Sequence, residues 1–236
     1  AFLESNPNVG AVFTAGKAID AHGNPLRRIG WVGSAKHKAI TYDFSQLIKA
    51  VLKNSNFIVC PSAMLRTDIY KKQIVSWRFD LFRTSSDLDI WFRVASRHLV
   101  AILREPLICY RTDNNQYSYE VRMGTERGDF FLVTDYYLSM PDVQLILTDD
   151  DHKNLLQLDI RDKLGRAVNH FTKGNIEESR ILIHTIFKQL DLRHLFRTRR
   201  SFLNLLLSSA LYFMIAGGLY ETGPKIINIL RKKLTR

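Results

Sequence analysis

The stretch T-S-S-D-L-D-I-W-F-R-V-A, residues 84–95, decides how the surrounding chain folds because it predicts a helix with one buried face. Its apolar side chains recur at the i, i+3, i+4 and i+7 positions of one helical stripe: Leu88, Trp91, Phe92 and Ala95. Two serines precede this stripe, and either Ser85 or Ser86 is a natural N-cap. The stretch therefore predicts an amphipathic helix that begins near residue 86.

Two acids, Asp87 and Asp89, stand in the first turn of this helix. Negative charge is favoured there by the helix dipole, and Asp89 is spaced to pair with Arg93 at i+4. Each helical residue turns by about 100°, so the two carboxylates point about 200° apart and should not act as a pair. Asp87 lies one step off the apolar stripe, where its carboxylate can face a cleft. Spacing alone leaves open whether Asp87 supports the helix or performs chemistry.

The composition describes a globular chain in a reducing compartment. The 236 residues are 46% hydrophobic and 24% charged, which excludes a disordered protein and allows one large domain or one domain with an appendage. The two cysteines, Cys60 and Cys109, are too few for a disulfide scaffold and stand in apolar runs, so we expect two buried, reduced thiols. The seven histidines show no spacing typical of a structural zinc site.

The net charge of +11 is unevenly distributed along the chain. Residues 1–118 carry 16 Lys and Arg against 9 Asp and Glu, residues 119–190 carry 9 against 12, and residues 191–236 carry 9 against 2. A basic C-terminal region beside an apolar run favours an anionic membrane surface as a partner. No zinc finger or stacked-aromatic pattern accompanies the charge, so we expect no nucleic-acid partner.

The first 118 residues alternate between strand and helix patterns. Three strands are predicted, at 9–19, at 56–65 with a break at Pro61, and at 99–103 with a continuation to 111 beyond Glu105-Pro106. Helices are predicted at 43–52 and 84–95, and residues 26–41 are predicted to form a basic loop. Strands interleaved with helices predict an α/β fold for residues 1–118.

After residue 118 the pattern becomes helical. Helical periodicity covers residues 127–138, 152–170 and 176–190. The triple acid Asp149–Asp151 could hold a metal, but helix-start rules favour a cap. The sequence G-N-I-E-E-S-R at 174–180 resembles the turn of a tetratricopeptide-type helical hairpin. We therefore expect an all-α extension over residues 119–190 that contains one hairpin-like unit.

Residues 191–236 form a third region, a basic and apolar helical tail. Residues 202–220 contain no charge over 19 positions, just long enough for one membrane-spanning helix. Asn204 and the Gly217–Gly218 pair weaken that interpretation, so spanning, lying at a membrane interface and packing in a core remain alternatives. Gly223–Pro224 then begins a last basic amphipathic helix.

Four segments of residues 1–118 share a common resemblance, and they follow one another along the chain. They are F-L-E-S-N-P-N-V-G-A-V-F-T with I-D-A-H-G-N-P-L, then N-F-I-V-C-P-S-A-M-L-R, then F-D-L-F-R-T-S-S-D-L-D-I-W-F-R-V-A, and finally E-P-L-I-C-Y-R-T-D-N-N-Q-Y-S. Together they resemble the family 2 glycosyltransferases with the A-type nucleotide-sugar fold. In that family the second segment is an acceptor-side strand, the third carries the catalytic base, and the fourth closes the catalytic domain.

The resemblance implies a partial Rossmann-like sheet layer and an inverting glycosyltransferase. Such an enzyme moves a sugar from a nucleotide-diphosphate donor to the hydroxyl of a saccharide or lipid-linked acceptor. It also implies a divalent cation, Mn²⁺ or Mg²⁺, and a place at the cytoplasmic face of a bacterial membrane in cell-envelope polysaccharide synthesis. An alternative of another class is a non-catalytic interaction or membrane-docking module that carries a glycosyltransferase remnant.

The chain departs from the family pattern in three respects. The family's Glu before the base is Ser86 here, and the His of its Y-R-x-H pattern is Asp113. The first half of the family's domain, with its D-x-D-type metal motif, does not match any segment of this chain. We therefore expect a fragment that covers the acceptor-side half, holds no metal ligands and is inactive alone.

The resemblance assigns roles to six residues. Asp87 is the expected general base, and Ser62 and Met64 are expected in the acceptor pocket. For the others an alternative remains: Trp91 could stack on a sugar or lie in the core, Arg93 could bind phosphate or pair with Asp89, and Arg111 could bind diphosphate or pair with Glu105 or Asp113.

Overall fold

The computed structural model describes residues 2–34, 36–112, 117–189 and 199–234. The chain divides into two compact units: residues 1–113 with 129–154 form the first, and residues 114–128 with 155–236 form the second. The first unit is mixed α/β and the second contains helices. This division differs from the boundary expected at residue 118, because residues 129–154 pack with the α/β part.

The sheet of the first unit is mixed. Its strands within the described residues are β1 Val9–Ile19, β2 Pro25–Ile29, β3 Ala39–Tyr42, β4 Met64–Leu65 and β5 Leu99–Arg111. The order is β2-β1-β5-β3, with β4 also paired to β1; the β1 and β5 strands are parallel, and the other pairs are antiparallel. The α/β prediction is confirmed at this level, and β1 has the predicted bounds.

The predicted loop at 26–41 is wrong at both ends, where it contains most of β2 and of β3, whereas residues 30–34 and 36–38 are neither helix nor strand. The β2 sequence P-L-R-R-I is almost entirely exposed at the edge of the sheet, where charged side chains are common. An edge strand buries too little surface to show the apolar alternation by which strands are recognised. Apolar periodicity therefore does not predict β2 or β3.

The predicted strand at 56–65 is also largely wrong. Cys60–Ser62 is a 3₁₀ turn around Pro61, and only the two residues of β4 pair with β1. Proline has no N–H for a sheet ladder, so the strand cannot form across it. The apolar side chains Ile58 and Val59 are nevertheless buried, which explains why the segment has the composition of a strand.

The β5 strand is continuous through Glu105 and Pro106, which were predicted to interrupt it. The pairing with β1 shifts register here, from Thr14 opposite Leu103 to Ala15 opposite Pro106. Arg104 and Glu105 have no partner on β1, so β5 has a bulge next to Pro106. Proline is tolerated inside a long strand at such a bulge.

The helices within the described residues alternate with the strands and then follow them. They are α1 Phe2–Ser5, α2 Phe44–Asn54, α3 Thr67–Ile69 with a π turn to Ile74, α4 Phe79–Phe82, α5 Ser86–Ala95, α6 Tyr117–Arg122, α7 Phe130–Leu138, α8 Pro141–Ile146, α9 Asp149–Thr172, α10 Ile176–Gln189, α11 Arg199–Ala216 and α12 Thr222–Leu234. The predicted helices at 43–52 and 84–95 are confirmed as α2 and α5.

One face of the sheet carries the main core. Helices α2 and α5 bury their apolar stripes there, with Phe13 of β1 at the centre. The α7 helix joins the same core because Tyr137 packs edge-on against Phe92, with ring centroids 4.9 Å apart, and against Phe44. These aromatic contacts place residues 129–138 in the first unit, although the sequence predicted that they belong to the helical extension.

The second unit is organised around α9, α10 and α11. Their buried side chains form one cluster: Ile160, Leu164, Ala167, Phe171, Ile183, Ile186, Leu211 and Ile215. The α9–α10 turn lies at residues 173–175, where Gly174 has a φ of 85° and Ser179 donates a 2.8 Å hydrogen bond to the Ala167 carbonyl. The uncharged run at 202–220 is not one helix, since α11 ends at Ala216 and α12 begins at Thr222.

The acidic triplet at 149–151 caps α9 through Asp151, as predicted. The Asp151 carboxylate accepts hydrogen bonds from the Thr148 backbone N–H and hydroxyl, at 2.9 and 2.7 Å. This is the geometry of a capping box, which satisfies backbone donors at the start of a helix. In the described part of the chain, no helix combines the length and the hydropathy that crossing a membrane requires.

Candidate active site

The α5 helix begins at Ser86 and presents Asp87 in its first turn. The predicted serine cap is absent: the Ser85 side chain makes no capping bond, and the buried Ser86 hydroxyl donates to the Arg83 carbonyl at 2.8 Å. One carboxylate oxygen of Asp87 instead accepts the Leu88 backbone N–H at 2.7 Å. The Asp87 carboxylate therefore satisfies one of the free backbone N–H groups at the start of α5, and this hydrogen bond also orients the Asp87 side chain.

Asp87 is a partly buried carboxylate that accepts hydrogen bonds from neutral donors. Burial raises its pKa above the ordinary value, and hydrogen bonds from the Leu88 N–H, the Cys60 thiol and the Asn56 side chain oppose that rise. Among the described residues, the groups that act on its pKa are all neutral. A carboxylate whose pKa is raised without a counter-ion is a stronger base than an ordinary surface acid.

Cys60, which is half-buried, is the second member of this cluster. The expectation of two buried thiols is wrong for Cys109, which is exposed on β5. Burial, followed by the negative charge of Asp87 and a hydrogen bond to it, raises the pKa of the Cys60 thiol to about 11. The thiol is therefore protonated at neutral pH and acts as a hydrogen-bond donor to Asp87 rather than as a nucleophile. The two groups titrate in opposition, because ionising either one makes ionising the other less favourable.

The turn that carries Cys60 is anchored to the sheet by Ser62. The Ser62 hydroxyl donates to the Val59 carbonyl at 2.7 Å and accepts the Thr14 backbone N–H at 3.0 Å. Close packing supports the same turn, since a Cβ on Gly30 would lie 2.4 Å from a methyl carbon of Val59. The position of Cys60 relative to Asp87 is thus set by contacts to β1 and to the end of β2.

Two residues in sparsely populated backbone regions flank the cluster. Ser55, next to Asn56, has a φ of 63°, and Arg83, just before α5, has a φ of 46°. Non-glycine residues with positive φ cost free energy and concentrate at functional sites. Both chain segments that bring groups to Asp87 therefore contain such a residue, as does the segment before α4, where Val75 has a φ of 60°.

Asp89 has a different role from Asp87. It is fully buried, its carboxylate lies 2.9 Å from Nε of Arg93, and it accepts a 2.8 Å hydrogen bond from the Tyr137 hydroxyl. Arg78 also approaches it, at 3.5 Å. The predicted i+4 pair with Arg93 is confirmed, and burial together with the charge of Asp89 raises the pKa of Tyr137. Asp89 therefore ties α5 to α7 and to the segment before α4.

Trp91 and Arg93 have structural contacts in place of the substrate contacts considered for them. Trp91 is 2% exposed and packs edge-on against Phe13 at 4.7 Å, so neither face of its indole is open to a sugar. The Arg93 guanidinium donates to the carbonyls of Ile74 and Ser76, at 2.7 and 2.9 Å, besides pairing with Asp89. Of the alternatives considered, Trp91 therefore lies in the core and Arg93 pairs with Asp89.

The structure places the other three sequence-predicted substrate residues in different surroundings. Met64 is 63% exposed on β4, whereas both hydrogen bonds of the Ser62 hydroxyl go to the backbone. Arg111 ends β5 and donates to the carbonyls of Asp20 and Ala21 at 3.0 and 2.7 Å. Asp113, which stands at the family's histidine position, lies outside the described residues.

Sequence inspection missed Asn56 and Cys60 as neighbours of Asp87, and Tyr137 as the partner of Asp89. These pairs are 27 to 48 residues apart along the chain, and no local pattern links such positions. The one available signal was Pro61, which marks the break in the strand predicted at 56–65. Proline positions the turn but does not reveal which side chain it faces.

The comparisons with known proteins add no identification. Scans of protein-family models, of curated proteins and of solved structures each found no match to this chain. Among the described residues, no group of three or more His, Cys, Asp or Glu side chains could hold a metal ion. The candidate active site is therefore defined by geometry and chemistry: Asp87 with Cys60 and Asn56.

Proposed function

We propose that this chain carries the acceptor-activating part of an inverting glycosyltransferase of family 2, with Asp87 as the general base. The observation that carries the proposal is the environment of Asp87, a partly buried carboxylate whose pKa is raised and on which, among the described residues, no cation acts. A carboxylate that is ion-paired for stability has the opposite environment, as Asp89 has in the same helix. The resemblance of residues 79–95 to the family's base segment supports the same role.

The proposed step transfers one proton and one sugar. The acceptor hydroxyl oxygen forms a bond to the anomeric carbon, and its proton passes to the Asp87 carboxylate. The bond between that carbon and the diphosphate oxygen breaks, and the nucleoside diphosphate leaves with the electron pair. The Cys60 thiol and Asn56 would hold the carboxylate in place through the hydrogen bonds that they donate. The raised pKa makes Asp87 the better proton acceptor.

The expected donor is a nucleotide-diphosphate sugar, and the expected acceptor is a saccharide or a lipid-linked saccharide at the cytoplasmic face of the cell membrane. A divalent cation, Mn²⁺ or Mg²⁺, would neutralise charge on the leaving diphosphate. The described residues offer no ligand group for such a cation, so we assign none of them to it and derive no step through it. The Rossmann-like A-type assignment of the sheet is part of the same proposal, which the parallel β1–β5 pair supports.

The test compares Asp87→Asn with wild type in the longest reading frame that contains this chain. Release of nucleoside diphosphate is measured from UDP-, GDP- and dTDP-sugars with Mn²⁺ or Mg²⁺ and a panel of saccharide acceptors. We expect kcat to fall at least about 100-fold in the variant, the usual contribution of a general base. Asp68→Asn, which changes an exposed acid in the first turn of α3, is the matched control and should leave turnover unchanged.

Two outcomes would contradict the proposal. Turnover of Asp87→Asn within a few-fold of wild type would exclude Asp87 as the base. A folded wild-type protein that releases no nucleotide from any donor would favour the alternative, a non-catalytic interaction or docking module that carries a glycosyltransferase remnant.

A further inference from the structure

The α11 helix has an uncovered apolar face. We define this apolar face as Leu203, Leu206, Leu207, Ala210 and Phe213, all of them exposed. At about 100° per residue these five positions fall within about 120° of the helix circumference. The buried positions of the same helix, Ser208, Leu211 and Ile215, lie on the opposite side, and Leu211 and Ile215 pack into the core of the second unit.

The exposure on this face is large for such side chains. Phe213 is 69% exposed and Leu207 is 57% exposed. The face runs for about 15 Å along α11, from residue 203 to residue 213. Ile226 and Ile229 of α12 are also exposed, one helical turn apart. A contiguous exposed apolar surface of this kind marks an interaction site rather than the scattered apolar residues normal on a protein surface.

The charge of the same two helices identifies the kind of partner. Residues 199–234 carry six Lys and Arg and a single acid, Glu221, and no charged residue occurs from 202 to 220. Apolar residues on one side with basic residues at the ends of the helices are typical of segments that lie in the interface of an anionic membrane. A second copy of the chain would bring two such positively charged segments together, which charge repulsion disfavours.

We propose that the α11 apolar face docks this protein on an anionic phospholipid surface, with the basic residues of α11 and α12 attracting the lipid head groups. The helices would lie on the membrane without crossing it, and Leu207 and Phe213 would enter the acyl region. This inference does not depend on the catalytic role of Asp87, because the residues that carry it belong to the second unit.

The test is flotation of the full chain with vesicles of 70% phosphatidylcholine and 30% phosphatidylserine in 0.1 M NaCl. We expect binding to these vesicles to be at least tenfold stronger than to pure phosphatidylcholine and to weaken at 0.5 M NaCl. Leu207→Asp and Phe213→Asp should each reduce binding at least tenfold. Leu145→Asp is the matched control, because Leu145 on α8 is 84% exposed but lies in the first unit.

Circular dichroism should show all three variants folded, since each substitution lies at an exposed position. Wild-type protein that stays off anionic vesicles would overturn the proposal, and so would Leu207→Asp and Phe213→Asp proteins that bind like wild type. A lipid-free wild-type dimer that Phe213→Asp converts to a monomer would also overturn it, because the face would then belong to a second copy. Each result can be read whether or not the protein transfers sugars.

Discussion

Replacing Asp89 by asparagine should destabilise the protein far more than replacing Asp87, although the two carboxylates stand two residues apart. Asp89 is fully buried and pairs with Arg93, which is itself mostly buried. Removing one member of a buried ion pair costs about 3–5 kcal/mol, because the remaining charge is left uncompensated. Asparagine can still accept the Tyr137 hydrogen bond, so we expect the lower end, about 3 kcal/mol. At about 2–4 °C per kcal/mol, the melting temperature should fall by roughly 6–12 °C.

Asp87→Asn should have the opposite sign at neutral pH. The folded-state pKa of Asp87 is raised, so its contribution favours the folded state below the ordinary value of 3.8 and is lost as pH rises through the folded pKa. At pH 7 the ionised, partly buried carboxylate therefore costs stability, and asparagine removes that cost. We expect the variant to be more stable than wild type at pH 7, with a difference that shrinks toward pH 4.

Urea unfolding followed by tryptophan fluorescence provides the measurement. The three tryptophans, at positions 31, 77 and 91, all lie in the first unit, so the signal reports on the unit that contains both acids. Asp68→Asn is the surface control and should change the free energy of unfolding by less than about 0.5 kcal/mol. An Asp89→Asn protein within about 1 kcal/mol of wild type would refute the reasoning. An Asp87→Asn protein as unstable as Asp89→Asn would refute it equally.

Two further predictions concern the turn that faces Asp87. The pKa of Cys60 is raised to about 11, so this thiol should react with iodoacetamide at pH 8 more slowly than the exposed Cys109. Asp87→Asn should accelerate the reaction of Cys60, because it removes the neighbouring negative charge. Peptide mass spectrometry measures both rates. Equal rates at Cys60 in the variant and in wild type would contradict this. Ser62→Ala should lower the free energy of unfolding by about 1–3 kcal/mol, because the Thr14 N–H loses its acceptor; urea unfolding within error of wild type would show that the anchor is dispensable.

The sequence predicted those elements whose burial is periodic. The β1 and α5 elements have continuous or regularly spaced apolar residues, and the structure places both in the core, as the spacing requires. The Asp89–Arg93 pair was equally predictable, because i+4 neighbours on a helix meet whatever surrounds them. Local spacing also separated Asp87 from Asp89, which the structure assigns to different surroundings.

What sequence alone determined is therefore local: the helix of residues 84–95, the strand at 9–19, the cap at 149–151, and the basic, apolar character of residues 199–234. Only the tertiary structure decided that Cys60 and Asn56 face Asp87, that Tyr137 holds Asp89, and that Trp91 is a core residue. These contacts join segments far apart in the chain, and their energies arise from burial and from hydrogen bonds across elements. The residues next to each contact in the sequence do not indicate it, so the full candidate active site could be identified only in the folded structure.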